Sequence, residues 1–131
     1  MTTAYDVMAA TCPSRTVLHR IGARWTVFVV TALADGPRRF TELKRHIEGI
    51  TPKVLTETLR ALEYDGLVTR RDLDTVPPGV DYALTGLGRS LLEPLTAVRV
   101  WAEAHVPEIL AAQDRADAAV LDGVKLDGVE L

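Results

Sequence analysis

The sequence predicts a mainly α-helical fold with one small β-hairpin, and three observations support this fold class. Apolar residues recur every three or four positions along several segments, which is the spacing of one face of a helix. Residues 67–85 form two short alternating segments around Pro77-Pro78-Gly79, the pattern of a hairpin with a stiff tip. The chain has 131 residues, 47% hydrophobic and 25% charged, which is the size and composition of one ordinary globular domain.

Two helices are predicted in the first part of the chain. We expect residues 1–11 to form an N-terminal arm and Cys12-Pro13 to open the first helix, because a first turn is where a helix tolerates proline best. The apolar side of this helix would consist of Val17, Leu18 and Ile21. The next segment, RWTVFVVTALADG at 24–36, is apolar on nearly all sides, which predicts a buried central helix ending at Gly36-Pro37.

A shorter third helix and a fourth helix are predicted next, joined by a turn that contains glycine. The third helix has an apolar side of Phe40, Leu43 and Ile47. The fourth has Thr51 as its N-cap, Pro52 as its first residue and Gly66 at its end. At about 100° per residue, three of its leucines share one side: Leu55, Leu59 and Leu62. We therefore expect the fourth helix to pack on the core through these leucines.

The chain beyond the hairpin is predicted to be helical. Thr85 is the expected cap of a long helix, whose apolar stripe consists of Leu87, Leu91, Leu95, Val98 and Ala102. Pro94 is expected to kink or break this helix, and Pro107 is expected to open a last helix. The tail carries Leu-Asp-Gly-Val twice, at 121–124 and 126–129, a repeat too short to define an architecture.

Helix, glycine-containing turn, helix and hairpin in this order predict a winged helix-turn-helix. The second helix of such a pair places its exposed face in the DNA major groove. Lys53, Thr56 and Arg60 lie opposite the leucines and are of types that contact bases, while the helix N-terminus at Thr51-Pro52 is suited to phosphate. Four nearby arginines are candidates for phosphate contacts: Arg38, Arg39, Arg70 and Arg71.

The charge pattern is uneven although the net charge is −3. Residues 38–71 hold eight Lys or Arg and five Asp or Glu, whereas residues 86–131 hold four and eight. Such asymmetry predicts one surface that faces an anionic partner. Each of these cations taken singly is better explained as a solvated surface charge, and Glu57 beside the proposed base contacts supports that alternative. DNA binding is therefore predicted from the order of the elements, not from any single charge.

Several other classes of protein are not predicted. No apolar run approaches the roughly 18 residues that a membrane span needs, and a single cysteine cannot form an internal disulfide, so we expect a cytoplasmic protein. The residues of a nucleophile–base pair, a phosphate-binding loop or a metal site do not occur at the required spacings. We expect neither an enzyme nor a cofactor or metal, and no membrane partner.

Five stretches of the chain resemble the HxlR-type bacterial transcriptional regulators, dimeric relatives of the MarR-like winged-helix proteins. The stretches are CP at 12–13, IGARW at 21–25, GPRRFTELKRHIEGITPKVLTETLRALEYDGLVTR at 36–70, VPPGVDYALTGLG at 76–88, and Trp101 with His105. The resemblance spans residues 12–105, a winged helix-turn-helix domain with dimerisation helices, and leaves 106–131 as a C-terminal helix and variable tail. It implies a homodimer in which each protomer contacts half of a near-palindromic operator on double-stranded DNA.

Three features depart from the pattern of the family. Arg24 stands where lysine is usual, Leu73 where tyrosine is common, and Gly79 where a basic residue is common. Asp72, Asp74 and Asp81 lie close by in the hairpin. We therefore expect the tip of this wing to offer less positive charge to the minor groove.

The resemblance also makes Cys12 a candidate redox sensor, since a matching cysteine senses oxidants or electrophiles in several members. The helix dipole and Arg15 would both favour its reactive thiolate. The alternative is a buried thiol that acts as a small apolar filler. A small ligand between the dimerisation helices and the winged domain is a second possible input, and a winged helix used only for protein–protein contact is the rival function. The sequence leaves these alternatives open.

Overall fold

The computed structural model describes residues 4–122. The chain forms two compact units, Met1–Glu93 and Pro94–Leu131. The first three residues of the predicted arm lie outside the described residues, and so do the second Leu-Asp-Gly-Val repeat and half of the first.

The elements follow the predicted order, with one additional strand. They are α1 Pro13–Ile21, α2 Thr26–Ala32, β1 Arg38–Arg39, α3 Phe40–His46, α4 Pro52–Tyr64, β2 Val68–Leu73, β3 Gly79–Leu84, α5 Gly86–Ser90 and α6 Leu92–Leu121. The strands form an antiparallel sheet in the order β1-β3-β2. The mainly helical fold with a small β-hairpin is thereby confirmed.

The core of the first unit is built by α2, α3 and α4. Seven of its side chains are at most 1% exposed: Val29, Val30, Leu33, Leu43, Leu55, Leu59 and Leu62. Removing this much apolar surface from water is the main source of stability for the unit. The predicted burial of α2 holds at Thr26, Val29, Val30 and Ala32, whereas Thr31 is exposed and Phe28 is 48% exposed. The apolar side of α1 is also exposed, since none of the residues of α1 is buried.

The helix-turn-helix itself comprises α3, a turn and α4. Gly49 in the turn has φ of +88°, a conformation that side chains with a Cβ rarely adopt. The Thr51 hydroxyl accepts a hydrogen bond from the Val54 N–H at 3.2 Å, and Pro52 is the first residue of α4. Both ends of α4 therefore lie where capping chemistry predicts them.

Strand β1 was not predicted. Arg38 and Arg39, which the sequence suggests only as phosphate contacts, pair with Tyr82 and Asp81 of β3. Two residues are too short to show the alternation that identifies a strand, and pairing with β3 decides their conformation.

The predicted breaks in the C-terminal helical region are wrong. The interruption falls at Leu91, between α5 and α6, and Thr85 caps α5 by accepting from the Gly88 N–H at 3.0 Å. Pro94 lies in the first turn of α6, where an N–H has no helical partner in any case. Pro107 lies inside α6 instead of opening a new helix, because the alanine-rich turns on both sides of it favour helix strongly. The predicted boundary between residues 105 and 106 therefore falls within a continuous helix.

Candidate nucleic-acid interface

The outer face of α4 is a ridge of four exposed residues, Lys53, Glu57, Arg60 and Tyr64, which we call the α4 ridge. Their spacing places them on one side of the helix. The leucines at 55, 59 and 62 are buried on the opposite side, as predicted. Thr56 is half-buried at the edge of this ridge. The structure thus presents two of the predicted base-contacting residues, Lys53 and Arg60, to solvent.

The N-terminus of α4 is exposed at Thr51 and Pro52. The Thr51 hydroxyl caps α4 by accepting a hydrogen bond from the Val54 N–H, and this stabilises the first turn of the helix that carries the α4 ridge. The first-turn N–H groups that remain carry the positive end of the helix dipole toward solvent.

Arg38 and Arg39 occupy different environments although they are neighbours. The Arg38 Nε donates a hydrogen bond to the Ala32 carbonyl at 2.7 Å, which ties this side chain to the end of α2. The guanidinium of Arg39 instead lies over β3 at Gly79. A Cβ at Gly79 would be 3.2 Å from the Arg39 Nη1, so the absence of a side chain leaves room for this guanidinium.

Asp81 of β3 forms an ion pair with Arg71 of the neighbouring strand. It lies on the central strand, directly opposite Arg39 of β1 and Arg71 of β2. The Arg71 Nη2 donates to the Asp81 Oδ2 at 2.7 Å, and the Asp81 side chain is only 12% exposed. The hydrogen bond and the charge of Asp81 raise the pKa of Arg71. One nearly buried carboxylate thus holds an exposed guanidinium in place.

Arg70 projects from the opposite face of β2, because successive residues of a strand alternate. It forms an exposed ion pair with Asp72 at 3.2 Å. Each arginine at the base of the hairpin is therefore paired with one of the acids expected to lower the charge of the wing. The Arg70–Asp72 pair is 3.2 Å long and exposed, whereas the Arg71–Asp81 pair is 2.7 Å long and its carboxylate is nearly buried.

A cleft of about 410 Å³ lies between α4 and the β2–β3 hairpin, and we call it the α4–hairpin cleft. Thr56, Arg60 and Glu63 line it from α4, and Arg70 and Tyr82 line it from the strands. Phe40 and Val80 complete the lining with apolar surface. The cleft brings together two arginines that are ten residues apart in the sequence.

Cys12 lies outside this region, at the N-cap of α1. Its sulfur is 3.0 Å from the Ser14 hydroxyl and accepts a hydrogen bond from the Asp6 N–H at 3.2 Å. The Ser14 hydroxyl lowers the pKa of the Cys12 thiol most, and the backbone N–H groups of Ser14, Asp6 and Arg15 add to this. The thiolate is thus favoured mainly by Ser14, not by the charge of Arg15.

Three residues of this region were missed as site residues: Glu63, Asp81 and Tyr82. A hairpin centred on Pro77-Pro78-Gly79 would place residue 85 opposite residue 71, whereas the observed loop, 74–78, is centred on residue 76 and places Asp81 there. Glu63 and Tyr82 gave no signal either, because their proximity depends on how α4 packs against the sheet.

Metal binding and membrane insertion find no support in the part of the chain that the structure describes. Across residues 4–122, no three His, Cys, Asp or Glu side chains come together as a metal site would require. Over the same residues, no helix combines the length and apolar character needed to cross a membrane.

Comparison with known protein families gives a match to the HxlR-like helix-turn-helix family over residues 20–109. The chain is also 42% identical over 109 residues to YtfH of Escherichia coli (strain K12), an uncharacterised HTH-type transcriptional regulator. That alignment covers 83% of this chain and 86% of YtfH.

Solved structures share the fold. A structure named as the transcriptional regulator ytfH of Salmonella typhimurium matches with a TM-score of 0.78 at 39% identity, covering 85% of this chain and 99% of that one. The redox regulator HypR in its oxidized form matches with a TM-score of 0.65 at 39% identity, covering 71% and 96%. The predicted resemblance is thereby confirmed. The chain belongs to the HxlR-like helix-turn-helix family and is a transcriptional regulator with the winged-helix fold.

Proposed function

We propose that this regulator binds a near-palindromic operator as a homodimer, with α4 of each protomer in the major groove. The observation that carries the proposal is the α4 ridge, where Lys53 and Arg60 are exposed on a helix anchored by three buried leucines. Such a helix can enter the groove without rearranging the core. Arg39, Arg70 and Arg71 flank it as phosphate contacts, and so does Arg38 of β1, whose Nε is held by the Ala32 carbonyl.

Pairing of two copies is supported by apolar surface on two helices. On α1, Val17 and Leu18 are each 55% exposed. On α6, Val98, Trp101 and Ile109 are exposed along one side of the helix. A second copy that covers these surfaces would remove them from water, and its symmetry would present α4 twice.

Selection of bound duplexes from a random pool tests this function. We expect an enriched sequence with two inverted half-sites about 34 Å apart centre to centre. Affinity for that sequence should fall steeply with salt, with a log–log slope near −0.9 for each phosphate neutralised. A protein–protein module would bind no duplex even at low salt, and that result would overturn the proposal.

We further propose that oxidation or electrophilic modification of Cys12 controls DNA binding. The Ser14 hydrogen bond favours the thiolate, which is the reactive form of cysteine. The similarity to HypR, which is named a redox regulator, supports the same input. Cys12 is half-buried and so remains accessible to a small oxidant.

The proposed control of DNA binding by Cys12 is tested by measuring operator affinity with and without the oxidant diamide. The wild type should change its affinity on oxidation, whereas Cys12→Ser should bind the operator equally well but not respond. A Cys12→Ser variant that still responds would exclude Cys12 as the sensor. If a small metabolite changes the operator affinity of the wild type and of Cys12→Ser, and diamide changes neither, the signal that controls DNA binding is a small ligand and not oxidation of Cys12.

A further inference from the structure

The α4–hairpin cleft has an excess of positive charge. Arg60 and Arg70 line it from opposite walls, and Glu63 is the acid among its lining residues. Within residues 4–122, no carboxylate lies within ion-pair distance of Arg60, and no basic group lies within ion-pair distance of Glu63. Arg70 has only the exposed pair with Asp72, which contributes little and is easily exchanged. The cleft therefore suits an anion with several oxygen atoms.

The location of the cleft identifies which anion is expected. If α4 lies in the major groove, base edges face the α4 ridge, and the sugar–phosphate strands form the rims of the groove. The cleft lies beside α4, between this helix and the hairpin, where one rim would pass. Its hydroxyl-bearing side chains, Thr56 and Tyr82, can add hydrogen bonds to phosphate oxygens.

We propose that the α4–hairpin cleft binds one backbone phosphate of the operator between Arg60 and Arg70. This inference rests on the proposed function and assigns the role of Arg60 within it. Arg60 is then a phosphate ligand and not a base contact, and the base contacts of α4 fall to Lys53, Glu57 and Tyr64. Two cations on facing walls hold the phosphate more firmly than either alone, since both charges act on the same oxygens.

Glu63 opposes this interaction. A carboxylate that lines the cleft repels the phosphate and limits the affinity for DNA. Glu63→Gln keeps the shape of the side chain and removes its charge. We expect it to strengthen operator binding about threefold to sixfold, the effect of removing a unit charge about 4–6 Å from a phosphate in water.

The test combines protein variants with operator duplexes that each carry one neutral methylphosphonate. One position in each half-site should weaken wild-type binding. The same substitution should have a smaller effect on Arg60→Ala and on Arg70→Ala, because one arginine remains in each, and no effect on the double variant. Such non-additivity shows that both arginines act on that phosphate. Arg60→Lys should retain the coupling, because lysine supplies a point charge to phosphate but lacks the bidentate geometry that arginine offers to guanine.

Two control variants isolate the effect. Lys53→Ala should weaken binding yet lose further affinity at the same methylphosphonate position, since it acts elsewhere on α4. Arg115→Ala removes an exposed positive charge from α6 and should leave the coupling unchanged. Thermal unfolding of each variant checks that the fold is retained.

Three results would overturn the inference, and a fourth would overturn the proposed function instead. Relaxed base preference in Arg60→Ala with no phosphate coupling would make Arg60 a base contact. Coupling of Arg60 and Arg70 to different phosphates would show that the cleft is not one site. Binding of inorganic phosphate to wild type but not to Arg60→Ala, with no methylphosphonate coupling, would make the cleft a small-anion site. If the wild type selects no duplex at low salt, the proposed function itself fails.

Discussion

At Cys12, the thiol sulfur lies within hydrogen-bond distance of the Ser14 hydroxyl and of the Asp6 backbone N–H. The sequence drew attention to Arg15 and the helix dipole, but the hydroxyl of Ser14 makes the larger contribution. A hydrogen bond to the sulfur stabilises its negative charge directly, whereas an exposed arginine acts through solvent that screens it. The largest cause of the lowered pKa of Cys12 is therefore the hydroxyl of a residue two positions away.

Ser14→Ala should raise the pKa of Cys12, because the thiolate loses its principal hydrogen-bond donor. The rate of alkylation by iodoacetamide, followed against pH, should show its midpoint at a higher pH than in the wild type. At any pH below that midpoint, the variant should react more slowly. Thr16→Ala removes an exposed hydroxyl from the same helix and should leave the midpoint in place. An unchanged midpoint in Ser14→Ala would contradict this prediction.

Asp81 is a second residue whose contacts differ from what the sequence suggested. Its presence in the hairpin predicted only a loss of positive charge, yet its carboxylate is nearly buried and holds Arg71 at 2.7 Å. An acid beside a cation does not simply cancel it, because it also fixes where the cation points. The sequence predicts that Asp81 lowers the positive charge of the wing. In the structure, Asp81 also holds the guanidinium of Arg71 in position.

At the scale of elements, α1 and α4 are joined by an ion pair. The Arg20 Nε donates to the Asp65 Oδ2 at 2.7 Å, with the two side chains 35% and 29% exposed. Arg20 lies in the last turn of the helix that begins at Cys12, and Asp65 is the C-cap of α4. This contact links the helix of the proposed sensor to the helix of the proposed DNA interface.

Asp65→Asn should destabilise the protein by about 1 kcal/mol, the usual contribution of a partly buried, charge-assisted hydrogen bond. Urea unfolding should show a lower midpoint with an unchanged slope. Glu103→Gln is the matched control, since it removes an exposed ion pair to Arg99 at 3.4 Å and should change stability by less than about 0.5 kcal/mol. Equal midpoints for the two variants would show that the Arg20–Asp65 contact does not stabilise the fold.

At the scale of the whole molecule, the exposed apolar side of α6 predicts association of two copies. Val98, Trp101, His105 and Ile109 lie on this side, and the rings of Trp101 and His105 stack at 4.6 Å. Ile109→Glu should convert the dimer to a monomer in sedimentation velocity, because burying an unpaired carboxylate is costly. Ala111→Glu places the same charge on the opposite side of α6 and should leave the dimer intact. A wild type that sediments as a monomer would contradict this prediction.

The sequence by itself determined the helix-turn-helix and the hairpin. The ends of α4 follow from Thr51, Pro52 and Gly66. The hairpin was predicted in the right part of the chain, but its loop is 74–78 and Gly79 of the predicted tip begins β3. These features depend on hydrogen bonds and backbone conformations within a few residues, which the local sequence specifies. The buried side of α4 was likewise predictable, since its leucines repeat with the period of a helix.

Only the tertiary structure decided the features that join distant segments. Strand β1 exists because β3 lies beside it, and the α4–hairpin cleft exists because α4 packs against the sheet. Asp81 acquires its role from a partner on the neighbouring strand. Contacts of this kind depend on the relative positions of whole elements, and a periodic pattern specifies which side of an element is buried but not which residue of another element it meets.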